Sequence, residues 1–274
     1  MKPLVSILIP LYNHEEFVEE TLDSILNDSY ENKEIIIIND GSTDRSDEVV
    51  KSWIEKNGSL VDIRYKSREN IGLTKTLNEL LSLSKGEFLV ALASDDYLID
   101  GGIEKRVEYL LNHPSKKAVF GDCIVVKDGE VISESGLFSY RYSNKKNFFS
   151  DQGIRREFLT NFSMPGPVLM VRRDFYTEFD GYNEDMYMED YDLYLRLATL
   201  GLIGFLDERV SGYRIHDGSM SAGDSKKYIK LLEDSIKTLL LHKSKFHGIE
   251  RGLLYLQVFK FYIRIFAKKI SSYL

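Results

Sequence analysis

Short apolar runs alternate with amphipathic stretches through the first hundred residues. Val5–Ile9, Glu34–Ile38, Val61–Tyr65 and Phe88–Ala91 have strand length and strand composition. Between them, apolar positions recur at helical spacing over about Glu15–Leu26, Ser46–Lys56 and Leu73–Ser82. Strands separated by helices of this length predict βαβ units, a mostly parallel sheet and right-handed crossovers. Open sheets of this kind bind ligands beyond the C-terminal ends of their strands. The segments that follow each strand therefore carry the interest: Pro10-Leu11-Tyr12-Asn13, Asn39-Asp40-Gly41-Ser42-Thr43-Asp44 and Ser94-Asp95-Asp96.

The middle of the chain is less regular. Cys123–Val126 and Val131–Ser133 flank Lys127-Asp128-Gly129-Glu130, whose Asp-Gly pair signals a hairpin. The polar, aromatic stretch Phe138–Phe149 reads as a loop over a site. A strand at Pro167–Val171, a helix from about Glu189 to Leu200 and a strand near Arg209–Tyr213 follow, and from Asp224 onward the pattern is helical only. With no repeat, no low-complexity segment and no Pro/Gly-rich linker, a second independent domain is not expected.

Composition narrows the function. A formal charge of −7 disfavours nucleic acid as a partner, since phosphate contacts need a basic face. Cys123 is the only cysteine, which excludes an intrachain disulfide, argues against a cysteine zinc site and suits a reducing cytoplasm. The run Leu4–Pro10 is too short for a signal-peptide core or a membrane span, and nothing elsewhere reaches the ~18 uninterrupted apolar residues of a spanning helix. The expectation is a soluble protein, or one attached at most to a membrane surface.

Each strand-end segment has a structural and a chemical reading. Asn39–Asp44 makes a strand-to-helix turn, with Gly41 in an unusual backbone conformation and Ser42 or Asp44 capping the next helix. A carboxylate there also accepts hydrogen bonds from a nucleobase or ribose, and Asp40 is placed to do so. Asp95 and Asp96 are adjacent acids that repel unless a cation or donors offset them. A divalent metal bridging Asp95 and a diphosphate would do that, since hard cations prefer oxygen ligands and phosphate; the alternative is a capping loop. Glu189-Asp190 opens a helical pattern, where the helix dipole favours acids. Met186-Tyr187-Met188 precedes them, and apolar surroundings raise a carboxylate toward the pKa of a useful base. Tyr213–Ser221 sets Arg214 and His216 at a strand end, where a histidine is either structural or a ligand.

Together these residues resemble glycosyltransferase family 2, whose members invert at the anomeric carbon and adopt the GT-A fold. The family's Pro-x-Tyr-Asn opening is matched by Pro10-Leu11-Tyr12-Asn13 with Glu15 after it. Its second strand end, Asp-Asp-Gly-Ser-x-Asp, appears as Asn39–Asp44, and its Asn-x-Gly stretch as Asn70-Ile71-Gly72 with Asn78. The metal motif Asp-x-Asp-Asp corresponds to Ala93-Ser94-Asp95-Asp96, and the Glu-Asp base motif to Glu189-Asp190 with Tyr194-Leu195-Arg196-Leu197. The late Tyr-Arg-x-His is Tyr213-Arg214-Ile215-His216. The likeness covers roughly residues 4–221. Ala93 stands where the family has its first metal-motif aspartate, and Leu77 where many members carry Arg, which shifts phosphate neutralisation to Lys75 or Arg214.

The resemblance implies an α/β, Rossmann-like GT-A sheet over residues 1–221 with a helical extension at 222–274. It implies hexosyl transfer from an NDP-α-sugar, UDP favoured, with Pro10, Leu11, Tyr12, Asn13, Glu15, Asp40, Asn70, Lys75, Ser94, Asp95, Asp96 and Arg214 around the donor. Asp95 and His216 would hold Mn²⁺ or Mg²⁺, Asp190 would be the base, and Gly166 and Glu189 would face the acceptor. Bacterial polysaccharide or glycoconjugate assembly is the family's usual setting. Three other readings compete. A sugar nucleotidyltransferase or a dehydrogenase needs a Gly-rich loop after the first strand, which Pro10–Asn13 does not supply; a binding module that has lost its metal site would fit Ala93.

The tail has its own pattern. From Arg251 to Leu274 the charges are Arg251, Lys260, Arg264, Lys268 and Lys269, with no acid, and Leu253, Leu254, Leu256, Phe259, Tyr262, Ile263, Phe266 and Ile270 form a broad apolar face with Tyr255, Phe261 and Tyr273. Such a helix docks on its own domain, on a second copy in a homodimer, or on the cytoplasmic face of a membrane carrying a lipid-linked sugar acceptor.

Overall fold

The computed structural model describes residues 2–218 and 225–271. Its strands are β1 (Val5–Leu11), β2 (Lys33–Asp40), β3 (Asp62–Arg68), β4 (Phe88–Ala91), β5 (Tyr97–Leu98), β6 (Ala118–Lys127), β7 (Glu130–Ser133), β8 (Leu169–Arg172) and β9 (Ile203–Ile215). Its α-helices are α1 (Val18–Asn27), α2 (Ser46–Asn57), α3 (Leu73–Leu83), α4 (Gly102–Asn112), α5 (Asp151–Thr160), α6 (Arg173–Glu178), α7 (Glu189–Thr199), α8 (Ser225–Leu241) and α9 (Gly248–Ser271). The strands form one sheet in the order β3-β2-β1-β4-β8-β6-β9-β5, with β7 paired to β6. β1 to β4 are parallel, as the βαβ pattern predicts. Beyond them β8 runs antiparallel to both β4 and β6, so the sheet as a whole is mixed.

The isoleucine run of β2 shows why the sheet is covered on both sides. Successive strand residues point to opposite faces. Ile35 and Ile37 enter one core with Ile7, Ile9, Val90 and residues of α1, α2 and α4. Ile36 and Ile38 enter the other with Leu8, Leu89 and residues of α3, α5, α7, α8 and α9. All four isoleucines are fully buried, each stabilising the fold by about 1.5–3 kcal/mol. A strand buried on both faces reads as a continuous apolar run, which is what this sequence shows.

The structure corrects several boundaries. α1 begins at Val18 rather than Glu15, because Asn13 takes a left-handed φ of 54° and the His14 carbonyl accepts the N–H groups of Phe17 and Val18 in a turn. The expected strand at Pro167 starts at Leu169, after a 3-10 turn that tolerates the missing proline N–H. β9 begins at Ile203, well before Arg209. Phe138–Phe149 is no simple flap: it holds a π-helical turn and a 3-10 turn, and Phe148 is buried against Phe120, Phe158 and Phe205. The predicted hairpin closes at Lys127–Glu130 with Asp128 and Gly129 both at positive φ, the geometry of a two-residue I′ turn.

α8 and α9 join the core they were expected to adjoin. Leu232, Ile236 and Leu239 of α8, then Leu254, Val258, Phe261 and Ile265 of α9, are buried in the same cluster as residues of α5 and α7. Docking on the domain is therefore realised, with Arg155 of α5 donating to Glu250 at 2.8 Å. The expected boundary at 221/222, the last motif residues 219–221, Asp224, Tyr273 and Leu274 lie outside the described residues.

Candidate functional site

The first two strand-end loops are fastened to each other. The Asn13 N–H donates to Ser42 Oγ at 3.0 Å, and the Thr43 N–H donates to Asn13 Oδ1 at 2.7 Å. The Glu15 N–H donates to Asp44 Oδ2 at 3.0 Å, while Glu15 Oε2 accepts from the Arg45 N–H and Nε at 2.9 and 3.0 Å. Asn13 and Glu15, expected at the nucleotide, thus spend their polar atoms setting loop shape. Both loops still line the cleft, as does Tyr12, which is half exposed. Leu11 is a core residue with no exposed side chain, and Pro10 is partly buried.

Asp40 is nearly enclosed. Its carboxylate accepts from the N–H groups of Ile71 and Gly72 at 2.9 and 3.0 Å and pairs with Arg68, which also holds Glu79. A carboxylate has about four acceptor positions, so three internal donors leave room for one more. Gly41, at φ 74°, is required here: a Cβ would sit 2.7 Å from the Asn70 nitrogen. Asn70 is exposed beside that contact, and Lys75 is exposed on the first turn of α3. Leu77 is core, and Asn78 ties α3 to the loop before α7, its amide donating to Tyr182 O at 3.0 Å and accepting from the Tyr182 N–H at 2.8 Å.

At the ends of β1, β4 and β9 three metal-ligating side chains converge. His216 Nε2 lies 3.0 Å from Asp95 Oδ2, and His14 Nδ1 lies 3.9 Å from Asp95 Oδ1. One ligand atom from each of His14, Asp95 and His216 falls within 4.8 Å of the other two. Phe17 packs against both imidazoles, with ring centroids 6.0 Å from His14 and 4.5 Å from His216. Burial holds His14 below the usual imidazole pKa against the pull of Asp95, so the ring is neutral, the form that ligates. The donor set fits a divalent metal. Ser94 Oγ is 2.8 Å from His14 Nδ1.

Asp96 does different work from Asp95. It is buried, its Oδ1 accepts the Arg214 N–H at 2.8 Å, and Gly166 lies beside its other oxygen. Burial, then the charge of Asp95, pushes its carboxyl well above the usual range. It pins the end of β9 to the turn after β4, which fixes where Arg214 and His216 stand. The Arg214 guanidinium lies 5.0 Å from the Phe17 ring and 5.5 Å from that of Tyr97, and it pairs with Glu20 at 2.8 Å. Arg214 lines the cleft together with the hairpin tip Lys127-Asp128-Gly129.

Asp190 sits in the first turn of α7, partly exposed, its Oδ1 accepting the Tyr191 N–H at 2.6 Å. Burial pushes its carboxyl up to about 6; the backbone donors of Tyr191 and its own N–H pull it back, and Asp234 adds to the rise. Glu189 is buried beside it and raised further, to about 8, first by burial and then by the charge of Asp190. Protons leave such a pair in two steps, the first falling mainly to Asp190. Asp234, on α8, accepts from the N–H groups of Tyr187 and Met188 at 3.0 and 2.7 Å. It fastens the segment that delivers the pair.

With this geometry in place, the comparisons are decisive on family. The model of glycosyl transferase family 2 matches residues 6–179. The chain belongs to glycosyl transferase family 2. An uncharacterized glycosyltransferase of Haemophilus influenzae is 30% identical over 231 residues, covering 80% of this chain and 68% of the relative. The chondroitin synthase of Pasteurella multocida is 29% identical over 220 residues, which are 80% of this chain and 21% of that enzyme. The chain thus spans about two thirds of the first relative and a fifth of the second. Among solved structures, a mannosyltransferase of Pyrobaculum calidifontis in complex with GDP-Man and Mn²⁺ shares the fold at a TM-score of 0.69 and 18% identity, over 94% of this chain and 70% of that one. Staphylococcus aureus TarS 1–349 in complex with UDP-GlcNAc does so at 0.68 and 19%, over 93% and 71%. The fold of this family 2 glycosyltransferase is GT-A.

Sequence reasoning missed His14, Arg68 and Asp234. His14 directly follows the Pro-x-Tyr-Asn stretch and was legible as a ligand type at a strand end. Nothing near Asp234 in the sequence points to Tyr187 and Met188, some 46 residues away.

Proposed function

We propose that this chain transfers one sugar from an NDP-α-sugar, with UDP the favoured nucleotide, to an acceptor hydroxyl with inversion at the anomeric carbon. The carrying observation is the cluster of His14, Asp95 and His216 at the strand ends, whose two histidines line one cleft together with Arg214, in a chain of this family. Tyr12 and the Asn13 loop line the part of the cleft that would take the nucleoside, and the remaining acceptor position of Asp40 would receive a donor from it. Asp95 and His216 would hold Mn²⁺ or Mg²⁺, and Arg214 adds fixed positive charge toward the diphosphate. The ion, when bound, supplies Lewis acidity to the diphosphate.

Asp190 takes the proton of the acceptor hydroxyl as that oxygen bonds to the anomeric carbon. The bond to the diphosphate oxygen breaks on the opposite face and gives a β-linked product. A carboxylate raised to about 6 is ionised at neutral pH yet more basic than an ordinary aspartate. Glu189 and Gly166 stand on the acceptor side. Residues 1–221 act as the catalytic domain and 222–274 as its extension, whose helices α8 and α9 are fastened to the core. The Pasteurella multocida relative supports a setting in polysaccharide synthesis. The test is a panel of NDP-sugars with Mn²⁺ or Mg²⁺, read as donor hydrolysis and as transfer to sugar or lipid-linked sugar acceptors. Nucleotide binding with no turnover of any donor would favour the binding-module reading.

The proposal extends to location on the inner face of a membrane. No helix among the described residues is long and apolar enough to cross one. The outer side of α9 nevertheless exposes Tyr255, Leu256, Phe259, Tyr262, Ile263 and Phe266, interleaved with exposed Arg251, Lys260, Arg264 and Lys269. Aromatic and aliphatic burial with attraction to anionic headgroups suits a helix lying in the interface. A homodimer through this face is the competing use.

A further inference from the structure

The motif that supplies this site is short of a carboxylate at Ala93, and the structure brings a ligand to Asp95 from another strand end. His14 follows β1 and is held at several points. Its N–H donates to Ser46 Oγ at 3.0 Å, its Nδ1 sits 2.8 Å from Ser94 Oγ, and its ring stands edge-on to His216 with centroids 5.6 Å apart. The loop behind it is locked to the Ser42–Ser46 segment. A side chain fixed from backbone and ring alike is preorganised, as a ligand must be to contribute fully.

We propose that His14 is a third protein ligand of the metal, offsetting the carboxylate missing at Ala93. The resulting two-histidine, one-carboxylate set then makes this chain select transition-metal ions over Mg²⁺. This deepens the metal-assisted reading above and rests on it. Mg²⁺ prefers oxygen donors and gives up water reluctantly, whereas imidazole suits the first-row transition ions. With one carboxylate from the protein instead of two, the site loses the oxygen and charge that Mg²⁺ requires. Two imidazole nitrogens and one carboxylate oxygen suit Mn²⁺, Co²⁺ or Zn²⁺ and leave positions open for diphosphate oxygens. A purely structural His14 would serve only to hold Ser94, and would leave metal choice untouched.

The experiment is a Mn²⁺ titration of the purified full chain, followed by electron paramagnetic resonance of free and bound ion, with Mg²⁺ as competitor. Histidine-nitrogen modulation of the bound Mn²⁺ signal is recorded in parallel. Wild-type protein should show two coupled histidine nitrogens and should hold Mn²⁺ against a large excess of Mg²⁺. Since outer-sphere partners alone are worth about 10–100-fold in affinity, His14→Ala should weaken Mn²⁺ by about tenfold or more and remove one coupled nitrogen. His14→Asp should recover affinity and let Mg²⁺ compete. Unchanged affinity and nitrogen coupling in His14→Ala, while Asp95→Ala loses Mn²⁺, would overturn the proposal; so would equal competition by Mg²⁺ in the wild type. The nitrogen count in the wild type decides the matter even if a variant fails to fold. Donor turnover measured alongside separates the two readings. Turnover with a single coupled nitrogen sinks His14 alone, and two coupled nitrogens without turnover sink the transferase alone.

Discussion

Asp234→Asn tests whether α8 is part of the machinery of the base. In the structure one Asp234 oxygen accepts two backbone N–H groups, at 3.0 and 2.7 Å, immediately before Glu189 and Asp190. Hydrogen bonds to a charged acceptor contribute about 1.5–3 kcal/mol each and neutral ones about 0.5–1.5. Substitution by the isosteric amide therefore removes on the order of 2 kcal/mol, a fall in Tm of roughly 4–8 °C for a chain of this size. The chemistry should shift as well. The Asp234 charge helps raise both carboxyls of the pair, so its loss lowers the Asp190 pKa from about 6. As the proposed base, Asp190 works ionised, so kcat/KM falls as pH drops through its pKa. In Asp234→Asn that acid limb should move to lower pH, while the rate on the plateau declines because the base is weaker and less well placed. The assay is donor turnover from pH 4.5 to 9 for both proteins, with thermal melts at each pH. An acid limb that stays in place, or moves to higher pH, would refute the coupling between α8 and the base.

Asp190→Asn should keep the fold and nucleotide affinity while lowering turnover by about 10²–10⁴, the range of general-base catalysis; near-normal transfer would remove Asp190 from that role. Glu189→Gln should melt higher than the wild type at pH 8 and equally at pH 4. The raised folded-state pKa means that stability is complete below the usual carboxylate value and is lost as pH rises toward about 8, a loss the amide does not suffer. Equal melts at both values would contradict that. Phe259→Asp with Phe266→Asp, on the outward side of α9, should abolish salt-sensitive co-sedimentation with anionic vesicles and leave Tm nearly unchanged. Equal pelleting of variant and wild type would sink membrane contact. A change of oligomeric state instead would give this face to a second copy.

Strand ends were the legible part of this protein, and for a definite reason. The isoleucine run of β2 is apolar because both faces of the strand are buried, and the polar residues after it are there because the sheet stops. That transition is visible in the sequence directly, and with it Asp40 and Asp95, whereas Asp190 opens a helix. The roles within each motif were less visible. Asn13 and Glu15 look like ligands but bond across to the Ser42–Arg45 loop, and Leu11 looks like part of a binding motif but is core. Side chains at a strand end have two uses, and only the positions of donors separate them. α4 and α5 were missed although their signals exist. Ile103, Val107 and Leu110 recur at helical spacing, and Ser150 caps α5 by accepting the Gly153 N–H at 3.1 Å.

What no local pattern encodes is the dependence of the Asp190 segment on the far end of the chain. Asp234 holds Tyr187 and Met188, Ser235 donates to the Met188 sulfur at 3.4 Å, and His242 pairs with Asp192 at 2.8 Å. Each contact spans about fifty residues, and each lands within a few positions of Asp190. α8 in turn packs beside α9, whose inner face is buried while its outer face is exposed. Removing α9 would therefore strip core from the support of the base, so loss of activity in a truncated chain would say nothing about membranes. Surface substitutions that spare Leu254, Val258, Phe261 and Ile265 separate the two effects. On the proposed membrane reading, a helix α9 seated on a lipid surface would hold, through α8, the segment carrying the proposed base close to an acceptor presented from that surface.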